Sequence, residues 1–184
     1  LEGTMLVAAF VGVMVGVFTR GVLLALVAGV ASGLGMAALL GYFHLKLKAN
    51  IVLAAIALNL FATGITVFLL FLISHDKGTS SSLKSLVFPS FQIPLLKSIP
   101  VVGPILSGHN LLTYLSFLSV IVFYLILYKM PIGLQIRAVG QNPEAAQSVG
   151  VNVNRIKMYS LLLSGLFGAL GGLYLSMGYV SWFS

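Results

Sequence analysis

Apolar residues run along this chain in five long stretches, separated by short polar or charged ones. They cover Thr4 to Phe18, Gly21 to Phe43, Ile51 to Ile73, Leu111 to Tyr128, and Met158 into the C-terminal residues. A helix crosses the hydrocarbon with about 20 apolar residues, so the pattern predicts an all-α fold, a polytopic transmembrane bundle of about five spans. The first stretch is short and reads as truncated or broken near Gly3. Residues 74–110 interrupt the pattern with Thr79-Ser80-Ser81-Ser82 followed by Pro89, Pro94, Pro100 and Pro104. Prolines at that spacing prevent a long helix. The stretch Val87 to Leu106 nevertheless stays apolar, which leaves two readings: a segment lying against the membrane or the protein's outer face, or a loosely ordered connector.

Composition turns this pattern into a class. Of 184 residues, 59% are hydrophobic and 7% charged, with a mean hydropathy of +1.11, whereas a water-facing surface calls for roughly 25–35% charged residues. The solvent of this chain is lipid. Cysteine is absent, which excludes disulfides, thiolate metal sites and a thiol nucleophile. The net charge of +7 is spread singly between apolar runs and not gathered into a basic segment, so nucleic acid is not the expected partner. The basic residues read instead as topology signals. The linker His44 to Asn50 holds Lys46 and Lys48, and residues 129–157 hold Lys129, Arg137, Arg155 and Lys157 against the single acid Glu144. Two crossings separate these segments, which puts both on one side, and the positive-inside rule makes that side the cytoplasm. Lys77, Lys84, Lys97 and Asp76 on the opposite side weaken the contrast without reversing it. The chain starts Leu1-Glu2-Gly3-Thr4 and ends in apolar Tyr179 to Ser184, and is expected to be a piece of a longer protein, incomplete at both ends.

Within the spans, small residues recur at packing distance: Gly12 with Gly16, Gly29 with Gly33, and Gly168 with Gly172. Lipid provides no hydrophobic drive between helices, so close backbone approach has to supply van der Waals contact, and such spacing permits it. The third span carries Asn59, with Thr63 and Thr66 at i+4 and i+7 on the same face. An amide in hydrocarbon needs partners. It finds them either on a neighbouring helix or on a polar solute passing beside it.

The loop of residues 129–157 is not required by membrane spanning. Asn142 suits an N-cap, Pro143 the first helical turn, and Glu144 the positive end of the helix dipole. Gly150 supplies the stop. These signals predict a helix of about seven residues, about 10 Å long. Ala145 and Ala146 leave its face bare enough to enter a groove on another protein, with Arg137 and Arg155 placed to pair at the rim. A helix lying on the membrane surface is the alternative.

The stretch Arg137-Ala-Val-Gly140-Gln-Asn142-Pro143-Glu144-Ala145-Ala146-Gln-Ser-Val-Gly150-Val-Asn152-Val153 resembles the signature loop of the permease subunits of bacterial ABC importers. The resemblance is to the branch that serves branched-chain amino acids, ribose-like sugars and nucleosides. Glu2-Gly3-Thr4-Met5-Leu6, Lys48-Ala-Asn50-Ile-Val, Ala57-Leu-Asn59-Leu and Lys129-Met-Pro131-Ile-Gly133-Leu are similar to the nucleoside and simple-sugar group in particular. The resemblance implies a single transmembrane permease domain of a bacterial inner membrane, with residues 74–110 as an extracellular connector. It implies that Arg137, Gly140, Asn142, Pro143, Glu144, Ala145, Ala146 and Gly150 couple to an ATPase subunit. It further implies that Asn59 is a candidate for the solute path, which Thr63 and Thr66 border with it by sharing its helix face, and that Glu2 lies near the interior end of a broken helix beside that path. The implied partners are ABC ATPase subunits that bind the ATP, a second permease subunit, an extracellular solute-binding protein and membrane lipid. No cofactor is expected in this chain itself.

The implied cargo is a nucleoside or simple sugar, with a branched-chain amino acid as the alternative. An enzyme is not expected, because Glu2, Asp76 and Glu144 are far apart in sequence and His44, His75 and His109 sit at span ends. A channel-like or structural membrane subunit without an ATPase partner is the rival from another class. Such a subunit would not need the capped helix.

Overall fold

The computed structural model describes residues 2–74 and 110–179. The expected connector of residues 74–110 therefore lies, apart from its two ends, outside the described residues. Long helices are α1 (Glu2–Thr19), α2 (Val22–Leu45), α3 (Ile51–Ser74), α4 (Leu111–Lys129) and α7 (Val153–Leu173), the last continuing as a π-helical turn over Tyr174–Tyr179. Between α4 and α7 lie α5 (Pro131–Gln141) and α6 (Pro143–Ser148). Five helices are long and apolar enough to cross a membrane, and the all-α bundle is what the hydropathy pattern predicts. Two differences stand out. The fifth span starts at Val153 and not Met158, because Asn152 accepts the N–H of Arg155 at 3.2 Å and starts the helix a turn and a half earlier. The helix α5 was not expected as a separate element.

The densest packing joins α1, α2 and α7, and glycine makes it possible. A methyl group added at Gly33 would sit 2.5 Å from the Cβ of Ala169, and one at Gly29 would sit 3.0 Å from the carbonyl oxygen of Ala8. Gly165 meets Ala37 in the same way, Gly12 meets Leu173, and Gly172 lies directly on the backbone of Met5. The expected close approach therefore holds at Gly12, Gly29, Gly33 and Gly172. It also holds at Gly168, where the added carbon would sit 2.8 Å from the Thr4 hydroxyl oxygen. Gly16 is looser, with its nearest neighbour, the Met177 methyl carbon, at an ordinary 3.4 Å. Around these contacts Phe10, Val13, Met14, Ala25, Leu173 and Met177 form a buried apolar cluster.

The pairing also orders the ends of the bundle. Gly41 stands beside Met158, Gly33 beside Ala169 and Gly29 beside Leu173, so α2 and α7 run antiparallel. The α2–α3 linker and the α5–α6 segment consequently share one end of the molecule. On α3, Ala62, Thr66 and Leu70 are buried at i, i+4 and i+8 and make the face turned inward, while most of the helix is exposed. The exposure of α4 is greater still, with 6% of its spanning window buried against 50% for α1. Its ties to α7 include an edge-to-face contact of Phe123 with Phe167 at 4.6 Å, a hydrogen bond from the Asn110 side-chain amide to the Gly178 carbonyl, and Leu112, buried in the cluster that holds Leu173 and Met177. A cavity of about 340 Å³ separates the two helices between these ties, lined by Thr113, Ser116, Ser119, Phe167 and Tyr174 among others.

Candidate coupling loop and polar helix crossing

The segment from Met130 to Asn152 is a folded unit, assembled from local signals. Met130 is extended, and Pro131 at the first turn of α5 supplies the preset φ of a helix start. Gly133 then lies against the backbone of Ile126 and Leu127 in the last turns of α4, where a side chain has no room. Arg137 is exposed, yet its guanidinium sits 4.9 Å from the centre of the Tyr128 ring, a cation–π contact that ties α5 to α4.

Asn142 serves two helices at once. Its backbone N–H donates to the Ala138 carbonyl at 3.0 Å and closes α5. Its side-chain oxygen accepts the N–H groups of Glu144 at 3.0 Å and Ala145 at 3.1 Å and opens α6. Glu144 occupies the first turn as expected. At the other end Gly150 takes the left-handed conformation, with φ of 88°. Its N–H donates to Gln147 at 3.0 Å, and the N–H of Val151 donates to Ala146 at 3.1 Å. This paired closure satisfies carbonyls that would otherwise be orphaned. The helix has six residues where about seven were expected.

The two alanines face opposite ways. Ala146 is 4% exposed and packs in a small apolar cluster with Val139 and Ile156, flanked by Ile136, Ala138, Val151 and Val153. The expectation that Ala145 and Ala146 together form a bare outer face is therefore corrected: Ala146 anchors α6 to α5 and α7. Ala145 is exposed, together with Glu144, Gln147, and Val149 at 78%. Gly140 is also exposed, with nothing within 4 Å of where a side chain would begin. Sequence reasoning missed the inward cluster and α5 itself. The signal was there, in Pro131 followed by Ile132, Ile136 and Val139 at i, i+4 and i+7, the spacing of an amphipathic helix.

The polar residues inside the bundle meet at the start of α1. The side-chain oxygen of Asn59 accepts the N–H of Gly3 at 2.9 Å, a bond across 56 positions of sequence. Asn59 thereby caps a helix end from a neighbouring helix and satisfies a donor that lipid cannot. Thr4 is buried beside Gly168, and Glu2 is exposed in the first turn of α1. The two threonines stand differently from expectation. Thr66 is 1% exposed and donates to the carbonyls of Ala62 at 2.8 Å and Thr63 at 3.1 Å. Thr63 is exposed at the edge of the same face and donates to Asn59 at 3.0 Å. Both hydroxyl protons are spent on the helix's own backbone, as is usual for threonine in a helix. Asn59 meets the backbone of Gly3 at the crossing, Glu2 stands exposed one residue before it, Thr63 bonds the Asn59 carbonyl on the same helix, and Thr66 is packing.

A multi-pass membrane bundle with a capped, folded loop at one end is what these elements define. Residues 1–183 match the family described as the permease component of branched-chain amino acid transport systems, and the chain belongs to that family. It is 33% identical over 181 residues to the guanosine ABC transporter permease protein of Bacillus subtilis, a match covering 94% of this chain and 56% of that protein. It is 32% identical over 184 residues to a putative glucose ABC transporter permease protein of Haloferax volcanii, covering 97% and 54%. A nucleoside ABC transporter permease protein of Lactococcus lactis is 31% identical over 179 residues, covering 94% and 56%. The chain thus spans about half the length of these relatives. No solved structure matches it. Its class is the permease component of a transport system, a multi-pass protein of the cell membrane.

Proposed function

We propose that this chain is the membrane-spanning part of an importer for a nucleoside or simple sugar, driven by partner ATPases through α6. The observation that carries the proposal is the loop itself: a six-residue helix capped at both ends, anchored by Ala146, with Glu144, Ala145 and Val149 left outward. A connector between two spans needs none of this. Such a rigid projection transmits displacement: when the ATPases close on ATP, a docked α6 carries α5 and α7 with it. The α1–α2–α7 packing then moves as a body between two states. A second permease subunit and an extracellular solute-binding protein complete the proposed assembly. Guanosine, nucleoside and glucose stand in the names of the long-matching relatives, and they support this cargo class. Asn59, with Thr63 one turn on along α3 and Glu2 next to the Gly3 that it caps, is the proposed polar point on the solute path.

The test uses the assembled transporter. A cysteine replacing Val149 is expected to crosslink to the ATPase subunit, and Ala145→Asp is expected to abolish solute-stimulated ATP hydrolysis. Capture of no ATPase, together with hydrolysis indifferent to Ala145→Asp, sinks the proposal. For the path, Asn59→Leu is expected to lower uptake or change solute range.

A further inference from the structure

Where α2 turns into α3, the protein presents an open groove of about 610 Å³ whose walls include Leu39 and Phe43 on one side and Leu53, Ala57 and Phe61 on the other, with Asn50 at its mouth. Its walls are apolar, as hydrocarbon requires. At 1.5 Å per residue the α3 wall from Asn50 to Phe61 is about 16 Å long, enough for most of one lipid acyl chain. The mouth is different in kind. Ala49 and Asn50 of the linker line it, and Lys46 and Lys48, both exposed, precede them on that linker, with the Lys46 ammonium 5.5 Å from the centre of the Tyr42 ring.

The linker that carries these charges is held in one shape. The Ala49 N–H donates to the Phe43 carbonyl at 3.0 Å, the His44 ring nitrogen lies 3.1 Å from the Ala49 carbonyl oxygen, and Asn50 accepts the Val52 N–H at 2.9 Å. Lys48 itself sits in the left-handed region, with φ of 54°, a conformation that disfavours a side chain and that glycine or asparagine would adopt with less strain. A lysine is present there all the same. The described residues hold two acids, Glu2 and Glu144, and neither lies on α2, α3 or the linker, so the lysines' charge is not neutralised from the elements that form the groove.

We infer that this groove is a binding site for an anionic phospholipid, whose acyl chain fills the apolar cleft and whose headgroup phosphate is held by Lys46 and Lys48. Charge complementarity selects the occupant. A zwitterionic lipid fills the cleft equally well but gains less from the mouth, and a lysine near a membrane surface is worth about fivefold in affinity for an anionic one. The site lies at the same end of the bundle as α6, so lipid composition bears on the end of the molecule that moves.

The experiment takes the assembled transporter into nanodiscs of equimolar dioleoyl phosphatidylglycerol and dioleoyl phosphatidylcholine and counts retained lipid by native mass spectrometry. The wild type is expected to retain phosphatidylglycerol preferentially. Lys46→Gln with Lys48→Asn, the asparagine tolerating the left-handed backbone, is expected to lower that preference by about 25-fold, fivefold per lysine. Ala57→Phe, at an exposed position, fills the cleft without disturbing the core and is expected to lower retention of both lipids. Lys129→Gln, at the end of α4, is expected to change nothing. Equal retention of the two lipids by the wild type overturns the inference, as does an unchanged count in Ala57→Phe or an equal loss from Lys129→Gln. Displacement by millimolar glycerol phosphate would mean a phosphate site and not a lipid site. Capture of another polypeptide of the complex by a cysteine at Ala57 would mean that protein covers the groove.

Discussion

The α1–α2–α7 packing and the α5–α6 loop are both held by small residues, and for opposite reasons. In the membrane, Gly33, Gly165 and Gly172 act by leaving space, because backbone contact is the attraction available between helices when lipid surrounds them. In the loop, Ala146 acts by filling space. Its methyl group completes a cluster with Val139 and Ile156 that water drives together. Polar groups divide the same way. Inside the bundle Asn59 reaches across to another helix to satisfy Gly3, whereas in the loop Asn142 serves its own flanking turns. The difference teaches that adding atoms breaks the first region, while adding charge or removing a cap breaks the second.

The largest effect is expected at Gly172. In Gly172→Val the new side chain overlaps the backbone of Met5, which cannot rotate away as a side chain can. Overpacking of this kind costs about 3 kcal/mol, read as a lowered melting midpoint and a lower membrane level. Gly35→Ala is the control, with nothing within 4 Å of the added carbon, and its midpoint should hold or rise. A drop in Gly35→Ala equal to that in Gly172→Val would show that the glycines act through helix propensity and not through contact.

Next comes Ala146→Asp, which places a carboxylate in the loop's apolar cluster at a cost of about 2 kcal/mol. Amide exchange over residues 142–151 should accelerate while the melting of the bundle stays unchanged. Ala145→Asp, one residue away and exposed, should leave exchange as it was. If the two variants exchange alike, the opposition of the two alanines is wrong.

The smallest effect is expected for Asn142→Ala, which deprives Glu144 and Ala145 of their acceptor and costs about 1 kcal/mol. Their amides should exchange faster. Asn142→Asp, which keeps an acceptor oxygen in place, should restore protection, and failure to do so would remove the cap from the account of the loop.

The spans, the glycine spacing and the α6 caps were legible in the sequence because each depends on residues within a turn or two. The spacing of Gly29 and Gly33 could announce a close approach, but not that Ala169 and Leu173 would be the neighbours. Likewise α5 could have been read from Pro131 and its apolar spacing, but its anchoring by Arg137 on Tyr128 depends on how α4 ends. The family resemblance in residues 137–153 is likewise a local signal, and it agrees with the family match over residues 1–183.

By itself the sequence determined that the chain lives in lipid, crosses it about five times and carries a short capped helix between two spans. Hydropathy and capping are short-range physics and survive without knowledge of neighbours. Tertiary structure alone decided that Ala146 turns inward while Ala145 turns out, that Asn59 caps Gly3 while Thr66 packs, and that Leu39 and Phe43 of α2 face Leu53, Ala57 and Phe61 of α3 across an apolar groove. Each of those depends on which surface another helix covers, and that is set by contacts between residues far apart along the chain.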